Sequence, residues 1–308
     1  MASDFERFTQ SLNESIDLIE QNPQIESGTS SLLHSLDEVL DTPSLLARCD
    51  EICQRYEKKK PKLRIIHHLA CSGGSLLSKC LAALPNVYLL SEVHPFTDLA
   101  LGRGKPKYSP TDLIALSHYA GVPNHQDLAG KLFKQAVMST YQHVEKLGGI
   151  LVLRDHTHSD YCTSAKLPEK SRVHQLLEED FEIKSILTIR DPIDSYASLV
   201  KNGWVHFSPD SFDEYCRRIL VMLDKFQTEQ IFKYEDFVDE PQDVMGKICQ
   251  KLDLPFDDNF EEIFGAFQVT GDSGRSSDEI KKRNKTDMVN MRGEYAQGFN
   301  SLFVDLKY

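Results

Sequence analysis

The sequence predicts an α/β fold in which helices flank both faces of a parallel sheet. Short apolar runs alternate with longer segments whose apolar residues recur at helical spacing, and this alternation is typical of parallel sheets. The chain has 308 residues, enough for one large α/β domain with a small appendage or for two domains. The predicted strands are residues 63–69, 86–92, 150–153, 183–189 and 230–234.

The segments between these strands carry the helical patterns. Asn124 is expected to cap the longest helix, and Gly148 is expected to end it. The predicted helices are residues 76–84, 111–120, 125–147, 194–200, 212–226 and 241–252. We expect the last of them to be the final regular element of the chain.

Residues 1–60 are predicted to form a helical extension of the main domain, which occupies residues 61–308. Three stripes of apolar residues at helical spacing indicate helices, and Thr42-Pro43 is a typical helix start. The extension has 12 acidic and 6 basic residues. We expect it to pack on the main domain as a cap. The alternative is an arm that binds a partner or a second copy of the chain.

Composition limits the classes of function. The net charge of −12 argues against general attraction to nucleic acid, so an anionic substrate must be bound by a few placed Arg and Lys residues. No run of about 18 apolar residues is present, so we expect no membrane span. The 7 cysteines follow no regular spacing and the chain begins without an apolar leader, which together predict reduced thiols in the cytoplasm.

The stretch 63–84 predicts an anion-binding loop between a strand and a helix. Gly73 and Gly74 allow a tight bend and a close approach of the backbone to a ligand. The N–H groups at the start of the following helix then point at a phosphate. The loop lacks the pattern of the Walker A motif, and taken alone it is also compatible with an ordinary strand-to-helix turn.

A second anion site is predicted after the fourth strand. That strand delivers Arg190 to the sheet edge, and the next helix places Ser198 eight residues later. Arginine makes forked contacts with phosphate, and serine adds a hydroxyl donor. Ligands of parallel sheets lie beyond the carboxyl ends of the strands, so we expect one crevice surrounded by residues 72–75, Glu92, Arg154, His156 and Arg190.

These motifs resemble those of the sulfotransferases that use 3′-phosphoadenosine 5′-phosphosulfate (PAPS). The Arg190–Ser198 segment is the most specific match. Residues 71–75 are similar to the family's 5′-phosphosulfate loop, lysine-serine-glycine-threonine-threonine. Residues 232–237 are similar to its tyrosine-glutamate-aspartate block. The resemblance extends from residue 62 to residue 267 and implies a P-loop-like sulfotransferase fold with a five-stranded parallel sheet, with PAPS as donor and 3′-phosphoadenosine 5′-phosphate (PAP) as product.

The resemblance also implies roles for individual residues. The 5′-phosphosulfate would be held by Ser72, Gly73, Gly74 and Ser75. Arg190 and Ser198 would hold the 3′-phosphate, and Tyr234 would lie against the adenine. The family's late phosphate-binding loop is basic and glycine-rich, which suggests Arg275 by composition.

One position departs from the family pattern. Members of the family have a lysine or arginine in the glycine loop, where this sequence has Cys71. Lys79 lies one turn further along and is expected to point away from the loop. Arg154, at the end of the neighbouring strand, is the expected substitute.

Two residues are candidates for the catalytic base. Arg154-Asp155-His156 matches the family's lysine-threonine-histidine segment, which favours His156. Glu92 is the rival, because some bacterial relatives use a glutamate after the second strand.

Three functions remain open from the sequence. The first is transfer of a sulfuryl group to a hydroxyl or amine of a small molecule, a sugar or a lipid. The second is binding of PAP or another nucleotide without catalysis. The third is metal-dependent hydrolysis by Glu92, His94, Asp155, His156, His158 and Asp160. In the first case no metal is needed, and residues 94–125 and 201–215, including Trp204, His206 and Phe207, would form the acceptor wall.

Overall fold

The computed structural model describes residues 60–102, 105–163, 166–271, 279–282 and 294–305, together with residues 10 and 14. The predicted helical extension over residues 1–60 lies almost entirely outside the described residues, as does Arg275. Residues 60–308 form one unit of the chain, to which all the elements below belong.

A sheet of 5 strands, all parallel, has the order β2-β3-β1-β4-β5. Its strands are β1 (Lys62–His68), β2 (Val87–Val93), β3 (Ile150–Asp155), β4 (Glu182–Ile189) and β5 (Ile231–Lys233). β1 lies at the centre because its apolar residues are buried on both faces. Ile65 and Ile66 are fully buried and belong to separate cores on opposite faces of the sheet, as the alternation of side chains in a strand requires.

The predicted strands are confirmed with small shifts of their ends. One shift matters for function, because β3 continues to Asp155 and so includes Arg154, which the sequence placed after the strand. Another concerns Tyr234, which begins a helix rather than ending β5.

Helices cover both faces of the sheet. They are α1 (Gly74–Ala82), α2 (Leu113–Tyr119), α3 (His125–Lys146), α4 (His158–Tyr161), α5 (Arg172–Leu177), α6 (Pro192–Asn202), α7 (Phe212–Leu223), α8 (Tyr234–Asp239), α9 (Pro241–Leu252), α10 (Phe260–Ile263) and α11 (Glu294–Asp305). α1 and α9 bury Leu77, Leu81 and Ile248 with Ile66 on one face. Burying each of these side chains contributes about 1.5–3 kcal/mol. None of the described helices is long and apolar enough to cross a membrane.

The expectation that the helix at residues 241–252 is the last regular element is wrong. α11 follows it and packs on α7, burying Ala296 and Phe299 completely. The backbone N–H of Ala296 donates to the carboxylate of Asp213 at 2.9 Å, which satisfies one of the free donors at the start of α11.

Candidate active site

A cavity of about 1030 Å³ opens at the carboxyl ends of the strands. It lies where β1 has β3 on one side and β4 on the other, which is the position at which parallel sheets bind ligands. Residues that follow each of the five strands reach its wall. Of the predicted site residues, the cavity is lined by Gly73, Gly74, Ser75, Glu92, Arg154, His156, Arg190, Ser198 and Tyr234.

The glycine loop is shaped by two aromatic neighbours. Gly73 has φ +85°, and a Cβ atom there would lie 2.2 Å from the ring of Tyr234. A Cβ atom on Gly74 would lie 2.6 Å from the ring of His68. The loop therefore needs glycine at both positions to let these rings approach, and the approach brings the start of α1 to the cavity wall. The first N–H groups of a helix have no partner within the helix, so they are available to an anion.

Ser72 lies behind this loop and is not among the residues that line the cavity. Its hydroxyl donates to the carbonyl oxygen of Leu69 at 2.7 Å, and the side chain is buried. This hydroxyl stabilises the turn, and the role of Ser72 in holding the 5′-phosphosulfate stays a prediction.

The second predicted anion site lies on the same cavity. Arg190 is buried, with its guanidinium over the ring of Tyr234 at 5.3 Å. Its contacts with the carbonyl of Cys71 and the carboxylate of Asp194 are both long, at 3.5 Å. Within the described part of the chain, its Nε atom is buried without a hydrogen-bond partner. Because the guanidinium is weakly engaged, it retains donors for a forked contact with phosphate.

Arg154 joins the glycine loop to the residues after β2. Its Nη2 atom lies 2.6 Å from the Glu92 carboxylate and donates to the hydroxyl of Ser75 at 3.3 Å. Its Nη1 atom donates to the Ser91 hydroxyl at 2.9 Å and to the Thr270 carbonyl at 3.2 Å. The side chain is only 3% exposed, so a positive charge is held beside the loop that lacks a lysine.

The buried side chain of His68 holds Arg154 in position through a hydrogen bond. The Arg154 Nε–H donates to Nε2 of His68 at 2.6 Å, while Nδ1 of His68 lies 3.0 Å from the carbonyl of Leu69. Burial, followed by the positive charge of Arg154, lowers the pKa of His68 to about 4. His68 is therefore neutral and carries its proton on Nδ1. The 3.5 Å approach of Nε2 to Glu92 is consequently not an ion pair, since that nitrogen is an acceptor.

Glu92 reaches the cavity through an irregularity in β2. The register between β2 and β3 shifts after Leu90, and Glu92 adopts φ +60°. Such backbone is uncommon for a residue with a side chain and occurs often at functional sites. One carboxylate oxygen pairs with Arg154, and the other accepts from Nδ1 of His156.

The pKa of Glu92 is set by opposing effects. Burial alone would raise it, but the hydrogen bond from His156 and the nearby charges of His68 and Arg154 outweigh burial and lower the pKa to about 2. Because His68 is neutral, we assign the electrostatic part to Arg154. Glu92 is therefore ionised at neutral pH and fixes the tautomer of His156, whose Nε2 remains for a substrate.

Comparison with known proteins identifies the family. The sequence profile of the sulfotransferase family matches residues 65–258. The chain belongs to the sulfotransferase family. No match to this sulfotransferase was found among the curated proteins.

One of three similar solved structures supports the fold of this sulfotransferase, and the other two are reported only as similar chains. A sulfotransferase domain from the curacin biosynthetic pathway is 18% identical, with a TM-score of 0.54 over 80% of this chain and 99% of that chain. A sulfotransferase domain from the Synechococcus PCC 7002 olefin synthase is 18% identical, with a TM-score of 0.42 over 67% of this chain and 78% of that chain. Mouse sulfotransferase SULT7A1, complexed with PAP, is 13% identical, with a TM-score of 0.36 over 69% of this chain and 66% of that chain. The predicted P-loop-like sulfotransferase fold is confirmed.

One expectation about a side chain of the sulfotransferase is corrected. Lys79 was expected to point away from the glycine loop, but it is buried and lines the cavity. Helical side chains lean toward the start of their helix, so a long lysine one turn past Ser75 extends back toward the loop.

Sequence reasoning also missed several residues that shape the site. Among them are His68, Ser91, Thr270 and Gly271, which contact Arg154 or Glu92. His68 and Ser91 lie near the carboxyl ends of β1 and β2, and that position in the predicted strands could have indicated that they lie near the site. Thr270 and Gly271 immediately precede the segment that contains Arg275, so the late loop begins at the cavity although Arg275 itself is not described.

The residues suggested for metal binding are divided among separate networks. His94 pairs with Asp160 at 3.0 Å, and Asp160 also accepts from Arg172 at 2.6 Å. Asp155 pairs with His67 at 2.9 Å, whereas Glu92 pairs with His156. Over the residues described, no group of three such side chains is arranged to hold a metal ion. The geometry gives no support to a metal-dependent hydrolase.

Proposed function

We propose that this sulfotransferase moves a sulfuryl group from PAPS to a hydroxyl or amine of a small molecule, with sugars and lipids as the acceptor classes suggested by the sequence. The observation that carries the proposal is that residues predicted for two anion sites line one cavity. The start of α1 and the Arg190–Ser198 pair both line it, and so do Arg154, Glu92 and His156. A donor with a phosphate at each end suits that arrangement.

The donor contacts follow from this placement. The N–H groups at Gly74 and Ser75 would bind the 5′-phosphosulfate, and Arg190 with Ser198 would bind the 3′-phosphate. The Tyr234 ring would lie against the adenine. The buried Nε of Arg190 has no hydrogen-bond partner among the described residues, which supports this assignment because a phosphate oxygen would satisfy it.

Arg154 would stabilise the departing phosphate. In the reaction, an acceptor oxygen forms a bond to sulfur while the bond from sulfur to the bridging oxygen of PAPS breaks, so negative charge grows on that oxygen. Arg154 contacts Ser75, so its guanidinium lies beside the loop that would hold the 5′-phosphosulfate with this bridging oxygen. A fixed positive charge in a buried site lowers the barrier without reorganising solvent.

His156 would act as the base, with Glu92 as its orienting partner. Nδ1 of His156 donates to Glu92, which leaves Nε2 to take the acceptor proton. The ionised carboxylate then stabilises the imidazolium that forms. The two candidates therefore have complementary roles, and Glu92, already paired with Arg154, is the poorer proton acceptor.

Binding and turnover test the proposal separately. PAP should raise the melting temperature, since a ligand at 100 times its Kd stabilises the native state by about 2.7 kcal/mol. Labelled PAPS should then transfer sulfate to alcohols or amines. Binding without transfer to any acceptor would favour the non-catalytic alternative, for which Cys71 in the loop is the supporting observation. Absence of PAP binding would refute both.

Location and partners belong to the same proposal. The cysteines that the structure describes, Cys71, Cys80, Cys162, Cys216 and Cys249, are free thiols, which supports a cytoplasmic enzyme. A homo-oligomer or a partner bound through residues 1–60 stays a prediction. Neither nucleic acid nor a metal has a role in the proposed reaction.

A further inference from the structure

His158 is a buried side chain that the proposed reaction does not use. It begins α4, lines the cavity and is 3% exposed. Both of its ring nitrogens are buried without a hydrogen-bond partner among the described residues. A buried polar group without a partner destabilises the folded state, so an arrangement that leaves two on one ring calls for an explanation in function.

The position of His158 associates it with the acceptor. Its ring centroid lies 6.2 Å from that of His156 and 6.0 Å from that of His206. Both neighbours line the cavity, and so does Trp204, which with His206 belongs to the segment after α6. A substrate held by His156 would therefore have its adjacent atoms near His158.

The chemistry of His158 favours a neutral polar group. Burial is the main cause that lowers the pKa of His158 to about 3, so the ring is uncharged at neutral pH. A neutral imidazole has one donor and one acceptor nitrogen. Without a protein partner among the described residues to fix the tautomer, either nitrogen can donate or accept. A hydroxyl, which also does both, is the matching group.

We propose that His158 binds a second hydroxyl of the acceptor, adjacent to the hydroxyl that His156 deprotonates. The acceptor class is then a diol or polyol rather than a simple phenol or a lipid with one alcohol. This inference rests on the proposed function, because it takes the wall around His156 as the acceptor side.

The first test is the stability of a variant without ligand. His158→Phe removes the unpaired nitrogens and should raise the melting temperature by about 2–4 °C, because it removes a cost in a domain of this size. PAP should shift the variant as it shifts the parent. A fall in melting temperature for both His158→Phe and the smaller His158→Leu would show a structural role and overturn the proposal.

The second test compares two alcohols on the PAP-loaded protein, cyclohexanediol and cyclohexanol. The parent should bind the diol at least about tenfold more tightly, since a site that pairs with a hydroxyl rejects an analogue lacking it. In His158→Phe the ratio should fall to about one, while His158→Gln, which keeps a donor and an acceptor, should recover part of it. The exposed His143 supplies the control His143→Phe, which should keep the parent ratio.

The outcomes separate this inference from the donor assignment. Equal binding of both alcohols by the parent, or a diol preference that survives in His158→Phe, would overturn the role of His158. A parent that shows no PAP shift, and that without PAP prefers the diol only when His158 is present, would refute the donor assignment and support the diol site.

Discussion

Both sides of the cavity contain buried polar atoms without partners among the described residues, but their charges differ. On the side that we propose for the donor, the atom without a partner among the described residues belongs to Arg190, a cation. On the side that we propose for the acceptor, the described residues offer no partner to the ring nitrogens of His158, whose ring is neutral. A buried cation attracts phosphate, whereas a neutral ring selects by hydrogen-bond pattern. Donor affinity should therefore depend on charge, and acceptor choice on the arrangement of hydroxyls.

The largest expected effect concerns the base on the acceptor side. His156→Ala should reduce turnover by about 10²–10⁴-fold, the range of general base catalysis, and leave PAP affinity unchanged. Glu92→Gln should be the lesser lesion, because it removes the partner of the base rather than the base. Steady-state rates with labelled PAPS, read beside PAP melting shifts, measure both. If His156→Ala is active and Glu92→Gln is inactive, Glu92 is the base and His156 is not.

Arg154 lies at the junction of the two sides, so its replacement should affect the reaction more than binding. Arg154→Ala should lower turnover by about 10²–10³-fold, while PAP affinity falls much less, because the contact strengthens in the transition state. Arg154→Lys should recover little, since a lysine cannot replace the contacts with Ser91, Ser75 and His68 together. If Arg154→Ala turns over as fast as the parent, Arg154 does not stabilise the transition state.

On the side proposed for the donor, Arg190→Ala should weaken the binding of PAP by about 2–3 kcal/mol, because it removes a charge-assisted hydrogen bond. Ser198→Ala should cost about 1 kcal/mol. The diol preference should persist in both, which would sharpen the distinction between the two sides. Calorimetric titration with PAP measures the effect, and Arg217→Ala, on the remote helix α7, is a matched control. If Arg190→Ala binds PAP as tightly as the parent does, the assignment of the 3′-phosphate to this site is wrong.

The neutral histidines also predict how stability depends on pH. The pKa of His68 falls to about 4 on folding and that of His158 to about 3, from an unfolded value of 6.5. Folded pKa values below the unfolded one mean that the unfolded chain binds more protons as pH falls. Stability is therefore full above pH 6.5 and declines toward the folded pKa values, with a slope of about 1.4 kcal/mol per pH unit for each group.

Denaturant unfolding between pH 4 and pH 6.5 tests this slope. In His158→Phe the slope of the unfolding free energy against pH should fall by the contribution of one proton, about 1.4 kcal/mol per pH unit. His68→Gln should reduce the slope by the same amount. If both variants keep the slope of the parent, burial does not hold the two rings neutral in the folded state.

The smallest effect should come from Cys71. Its carbonyl, rather than its thiol, contacts Arg190, so Cys71→Ser should alter turnover and PAP affinity by less than about 0.5 kcal/mol. Cys71→Lys should raise turnover, because it supplies a charge where the family pattern has one. An inactive Cys71→Ser would show that the thiol takes part in the reaction.

The sequence predicted the sheet and the meeting of its strand ends because apolar runs and helical spacing are local signals. It could not predict the junction around Arg154, which depends on the register between β2 and β3 and on the positive φ of Glu92. The direction of Lys79 and the helix α11 were missed for the same reason, since tertiary contacts decide both.

Gly74 illustrates the difference between predicting a residue and predicting its cause. The sequence indicated that glycine at position 74 lets the backbone approach a ligand closely. The structure shows that an added Cβ first meets the ring of His68, which in turn holds Arg154. Gly74→Val should therefore disturb catalysis through Arg154 as well as donor binding at the loop.

The pairing of Ser91 with Thr270 has a consequence for synthesis on the ribosome. The Ser91 hydroxyl donates to the Thr270 carbonyl at 2.9 Å, and the Thr270 hydroxyl donates to the Ser91 carbonyl at 2.6 Å. Arg154 donates to the same Thr270 carbonyl. A nascent chain that already has all five strands still lacks this clasp until residue 270 leaves the exit tunnel. The full set of Arg154 contacts is therefore completed only in a chain that has been synthesised through residue 270.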